Sequence, residues 1–139
     1  MVTLSAVNSV SFSPDGKYVV SGSGDKSVKI WSTESGEVVR RLNGHTSDVN
    51  SVSFSPDGKY VVSGSGSGYR YDGNFKHSSD NSVKIWSTES GEVVRAWNGH
   101  IFAVMSVSFS PDGKYVVSGS DDESVKIWST LKVGKSCVP

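Results

Sequence analysis

Cysteine occurs once, at Cys137, in a chain of 139 residues. A single thiol cannot close an intramolecular disulfide, nor build a thiolate metal site alone. The three histidines, His45, His77 and His100, are scattered without ligand spacing, so no metal is expected. Proline is scarce, at 4 residues. No apolar run approaches the ~18 residues of a membrane-spanning helix. Residues Met1 to Ala6 offer neither a basic segment nor a long apolar core, so no secretory signal is expected. An excess of one charge is missing as well: 14 Lys and Arg balance 14 Asp and Glu. Without a basic stripe for phosphates, nucleic acid is not an expected partner. No Gly-rich fingerprint joins a strand to a helix, and no cofactor is expected. A cytoplasmic home is the default expectation, a nuclear one the alternative, with no membrane contact.

What the chain has in abundance is Ser, at 29, and Val, at 22, with 14 aromatic residues among them. That mixture fits short strands joined by polar turns. The residues come in repeats. The string SVSFSPDGKYVVSGS occupies 9–23, 51–65 and 106–120, and SVKIWST occupies 27–33, 82–88 and 124–130. ESGEVVR occurs at 34–40 and 89–95. The long string recurs after 42 residues and then after 55, the excess being an insertion, Ser67 to Ser79. Within a unit, Val10 and Phe12 alternate with serines, as on a half-buried strand. Ser13-Pro14-Asp15-Gly16 then forms a turn, because Pro fixes φ and Asp and Gly accept turn geometry. Further strands are expected at Tyr18–Ser23, Val28–Trp31 and Glu37–Leu42. So small a sheet cannot stand alone, and stacking against neighbouring copies is the physical solution.

A repeat of about 42 residues lies in the propeller-blade range. Together with Asn43-Gly44-His45 and Asn98-Gly99-His100, the three Ser-Pro-Asp-Gly turns and Ile-Trp at 30–31, 85–86 and 127–128, it makes the chain resemble the WD40 repeat family of β-propellers. The resemblance covers about residues 7–130, with Trp-Ser in place of the family's usual Trp-Asp. It implies an all-β fold of WD40-type blades in a partial, three-unit propeller. Unit one is expected at about 7–48, unit two at 49–103 with the insertion 67–79, and unit three at 104–139 with an irregular end.

The resemblance also implies a structural network in each blade: a His before the first strand, a Ser on the second, an Asp in the next turn and a Trp on the third. Carried over, these are His45, Ser63, Asp80 and Trp86 in unit two, and His100, Ser118, Asp122 and Trp128 in unit three. Ser65 is an alternative to Ser63. Unit one offers Ser21, Asp25 and Trp31, but Thr3 stands at the His position.

Near-identical copies cannot distinguish one blade from another, so specificity is expected where they differ. In the insertion, Tyr69, Arg70, Tyr71 and Phe75 are residue types that anchor interfaces. The alternative is a tolerated surface insertion. A second varied stretch replaces Leu42, Thr46, Ser47 and Asn50 with Trp97, Ile101, Phe102 and Met105. Trp97 and Phe102 are therefore candidate partner-binding residues, the alternative being core or blade-to-blade contact. The last residues leave the repeat, though Lys132–Val133 could mimic a fourth strand. Three units fall short of the roughly four that propellers usually need. An open arc or a fragment of a longer propeller is expected ahead of a ring closed by a dimer or trimer through the open blade faces.

The expected function is a non-catalytic scaffold for protein–protein interaction, with a protein or peptide partner. One alternative is a self-assembling or fragmentary repeat protein without a dedicated ligand. Another is a hydrolase using a Ser-His-Asp set, which the resemblance argues against.

Overall fold

A computed structural model of the chain describes residues 5–66 and 80–130 and the backbone of Cys137–Val138. The long repeated string folds as an antiparallel hairpin, and SVKIWST adds the third strand. The first sheet holds β1 (Val7–Phe12), β2 (Tyr18–Ser23), β3 (Ser27–Ser32) and β4 (Val38–Asn43), in that spatial order. The second holds β5 (Val49–Phe54), β6 (Tyr60–Ser65), β7 (Val83–Ser87) and β8 (Val93–Trp97). The third holds β9 (Val104–Phe109), β10 (Tyr115–Ser120), β11 (Val125–Ser129) and β12 (Cys137–Val138). These are three blades of an all-β partial propeller. Lys132 and Val133 lie outside the described residues; the strand that pairs with β11 is Cys137–Val138.

The Ser-Pro-Asp-Gly turns are locked by their own side chains. Ser13 Oγ donates to Asp15 Oδ1 at 2.7 Å, and that oxygen also accepts from the Lys17 amide at 2.9 Å. The Tyr18 amide closes the turn on Ser13 Oγ at 3.0 Å. Ser55 with Asp57 and Ser110 with Asp112 repeat the arrangement.

The blades are bonded to one another along their first strands. The Val52 amide donates to Ser9 Oγ and the Val107 amide to Ser51 Oγ, both at 3.1 Å. Each first strand carries a register shift that leaves one residue extra, at Asn8, Asn50 and Met105. A bulge re-aims the side chain it carries. Asn8 Nδ2 reaches Val49 O at 3.0 Å, and Asn50 Nδ2 reaches Val104 O at 3.0 Å, each in the next blade.

Two hydrophobic cores fill the spaces between sheets. Between blades one and two, Val20, Val28 and Ile30 meet Val49, Val52 and Phe54. Between blades two and three, Val62, Val83 and Ile85 meet Val104 and Val107, with Phe109 alongside. The cores therefore lie between the blades, and a blade is buried only on faces that have a neighbour.

Candidate functional site

Strand alternation puts Ser63 on the face of β6 that receives the third-strand tryptophan, and the Asn-Gly-His loop brings His45 in above it. Trp86 Nε1 donates to Ser63 Oγ at 2.9 Å. His45 Nε2 lies 2.6 Å from the same oxygen, and His45 Nδ1 lies 3.0 Å from Asp80 Oδ2. One direction satisfies every group: Trp86 N–H donates to Ser63, Ser63 O–H to Nε2, and Nδ1–H to the carboxylate. The third blade repeats it. Trp128 Nε1 donates to Ser118 Oγ at 2.9 Å, His100 Nε2 lies 2.8 Å from Ser118 Oγ, and His100 Nδ1 lies 2.9 Å from Asp122 Oδ2.

Both carboxylates collect further donors. Asp80 accepts from the Thr46 amide at 2.8 Å, from Ser65 Oγ at 2.8 Å and from Ser82 Oγ. Burial pushes the Asp80 carboxyl up, but the hydrogen bonds from His45, Ser82 and the Thr46 amide outweigh it and hold it well below the usual carboxylate range. For Asp122 burial again opposes, and Ser124, His100 and the Ile101 amide win in the same direction. Ser63 and Ser65 thus divide the work: Ser63 serves the imidazole and indole, and Ser65 serves the carboxylate.

Gly44 and Gly99 explain why a glycine precedes each histidine. A Cβ at Gly44 would lie 2.9 Å from Trp86 Cη2, and one at Gly99 2.7 Å from Trp128 Cη2. Only a residue without a side chain lets the loop lie against the indole edge.

The first blade is different. Trp31 Nε1 still donates to Ser21 Oγ at 2.9 Å. Among the described residues Asp25 takes no imidazole; its Oδ1 accepts from the Ser27 amide at 3.0 Å and from the Ser27 hydroxyl. Thr3 lies outside the described residues. Trp31 is half-buried where Trp86 and Trp128 are buried.

Ser63 and Ser118 are buried, and each hydroxyl oxygen already accepts an indole N–H. A nucleophile needs open approach to its substrate, and neither serine has it. Among the described residues no group of three or more His, Cys, Asp or Glu could hold a metal ion.

The remaining candidates separate. Tyr69, Arg70, Tyr71 and Phe75 lie outside the described residues. The structure places Trp97 in the interior, stacked on Trp128 at 5.1 Å between ring centroids, with the Arg95 guanidinium 5.9 Å from its centroid. Leu42, at the equivalent position of β4, is also buried, a signal that the sequence contained. Phe102 is exposed in the β8–β9 loop beside Ile101. That loop meets the base of the inserted segment: Asn81 Nδ2 donates to Ile101 O at 3.2 Å, and a Cβ at Gly66 would lie 2.5 Å from Ala103 Cα. The adjacency of Ile101, Phe102 and the ends of the insertion was not legible in the sequence.

On the opposite face, the clefts between blades hold cavities of about 530 and 410 Å³. Tyr60, Ile85, Val94, Arg95 and Phe109 line one, and Tyr18, Ile30, Val39, Arg40 and Phe54 line the other. The residues are equivalent, so these clefts belong to the repeat and confer no individuality.

Four-stranded antiparallel blades with a His-Ser-Trp-Asp network define a propeller of the WD40 type. The family described as WD domain, G-beta repeat matches residues 3–32, 36–87 and 91–129, and the chain belongs to it. This is a non-catalytic family that generally mediates protein–protein interaction. Among curated proteins, the chain is 36% identical over 123 residues to the nuclear distribution protein nudF of Aspergillus flavus, covering 88% of this chain and 25% of that protein. It is 30% identical over 162 residues to nuclear distribution protein PAC1 of Arthroderma otae, covering 88% and 35%. It is 31% identical over 142 residues to protein hir1 of Schizosaccharomyces pombe, covering 88% and 14%. The chain thus spans only about 14% to 35% of the length of these relatives.

Proposed function

We propose that this chain is a non-catalytic WD40 scaffold that recognises a protein or peptide partner on the face carrying the β8–β9 loop, beside Gly66 and Asp80. The observation that carries it is a local change in an otherwise copied sequence. Thr46 and Ser47 of one unit become Ile101 and Phe102 of the next, and these two are 72% and 43% exposed. Exposed apolar side chains clustered at one loop favour a partner that buries them. Gly66 and Asp80, the described residues that flank 67–79, lie beside that loop, and Tyr69, Tyr71 and Phe75 are proposed to extend the same surface. The hydrogen-bonded networks are proposed to be structural: they hold the loops that present the surface.

The test is a peptide library selected against the purified chain, followed by titration of the selected sequences against the double variant Ile101→Thr, Phe102→Ser. This variant restores the residues of the preceding unit, so folding is expected to be kept. Binding is expected to weaken at least tenfold. Equal binding by the variant would remove the surface from consideration.

A further inference from the structure

The two ends of the described arc are open faces with repeat-equivalent partners inside the chain. Val10 is 64% exposed, whereas its equivalent Val52 is 4% exposed against blade one. Ile127 is 50% exposed, whereas its equivalent Ile85 is 4% exposed against blade three. Glycine shows how such faces mate. A Cβ at Gly22 would lie 2.7 Å from Val49 Cγ1 and 3.0 Å from Val52 Cγ1. A Cβ at Gly64 would lie 2.6 Å from Val104 Cγ1 and 2.9 Å from Val107 Cγ1. β5 and β9 thus each seat two valines over a glycine of the blade before them. Gly119 is the third such glycine, and a Cβ there would meet nothing within 4 Å. Val7 and Val10 are the third such pair of valines, and both are exposed.

We propose that a second copy of this chain docks head to tail, with Val7 and Val10 of one copy seated over Gly119 of the other, and that two such contacts close a six-bladed ring. The arrangement repeats an interface the chain already makes twice, between segments of the same sequence. The contact is heterologous, and in a dimer two copies of it close the ring without leaving a free face. Six blades fall within the roughly four to eight of known propellers, whereas the nine of a trimer do not. The Ser9 and Ser51 bonds also have their counterpart: Ser106 is placed to accept from the Val10 amide of the next copy. One element is missing. Asn8 and Asn50 reach across their interfaces, but the third bulge carries Met105. The contact between copies therefore lacks one hydrogen bond that the internal contacts have. This surface is separate from the loop face proposed for a partner, and either proposal can fail alone.

The test is absolute mass by light scattering across a concentration series. Twice the chain mass of 14.8 kDa is expected. A monomer at every concentration, or a continuous spread of aggregates, would overturn the proposal. Gly119→Val fills open space in one copy, so it is expected to keep the monomer fold and abolish the dimer; Val10→Asp is expected to do the same from the other side. A dimer that survives both would also overturn it. Met105→Asn supplies the missing amide and is expected to lower the dissociation constant by about threefold to tenfold. Hydrogen exchange on the unaltered chain needs no variant to fold. On concentrating it, peptides spanning 7–12 and 117–127 are expected to gain protection together; protection at only one end, or at neither, contradicts head-to-tail docking.

Discussion

Phe12 and Phe54 stand in the same fifteen-residue string, yet Phe12 is 64% exposed and Phe54 is 8% exposed. Local sequence gives both the same strand and the same Ser-Pro-Asp-Gly turn. The difference is the neighbour: Phe54 has blade one to pack on, and β1 has no sheet before it among the described residues. Secondary structure here is a property of the string, and burial is a property of its place in the stack. In such an array, stability is shared between the repeat and its interfaces.

The contrast can be broken most strongly at the tryptophans. Trp86 is buried in the first core, whereas Trp31 is half-buried and, among the described residues, without an imidazole beside it. Trp86→Ala is expected to cost about 3–5 kcal/mol, and Trp31→Ala clearly less, by urea unfolding. Glycine gives the next largest effect. Gly64→Val forces a Cβ with two methyl groups against Val104 and Val107 and is expected to cost about 1–3 kcal/mol. The identical change at Gly119 is expected to leave the stability of the single chain unaltered.

The networks sharpen the same comparison on a smaller scale. Asp80→Asn weakens the acceptor on which His45, the Thr46 amide, Ser65 and Ser82 converge, with an expected cost of about 1–3 kcal/mol. Asp25 lies at the surface and serves only its own turn, so Asp25→Asn is expected to change stability by no more than about 0.5 kcal/mol. Acid acts on the same groups. Asp80 and Asp122 titrate below their ordinary 3.8 in the folded chain, so the unfolded chain takes up protons first. Their contribution is fully present above about pH 5 and is lost progressively as pH falls through and below 3.8. A urea series from pH 5 downward is expected to show that loss, and Asp80→Asn is expected to reduce its slope.

Much of this was legible in the sequence, because repetition fixed the strands, the turns and the blade count. The groups of the network were legible from the resemblance, but the choice between Ser63 and Ser65 was not. The two lie two residues apart on one strand, so alternation points both to the same face, and only the position of His45 separates them. Trp97 could be read as surface or core from its type; its place opposite Trp128 depends on sheet register. The bulges at Asn8, Asn50 and Met105 were not legible, because nothing local announces the extra residue of a bulge in a strand.

The central claim, that neighbours decide what an identical string contributes, is tested most directly by one paired measurement. Phe12→Ala and Phe54→Ala are compared by urea unfolding in the Gly119→Val chain, where docking of a second copy is blocked. A loss of about 3–5 kcal/mol at Phe54, with a change of no more than about 0.5 kcal/mol at Phe12, is expected. Equal losses at both positions would contradict the account.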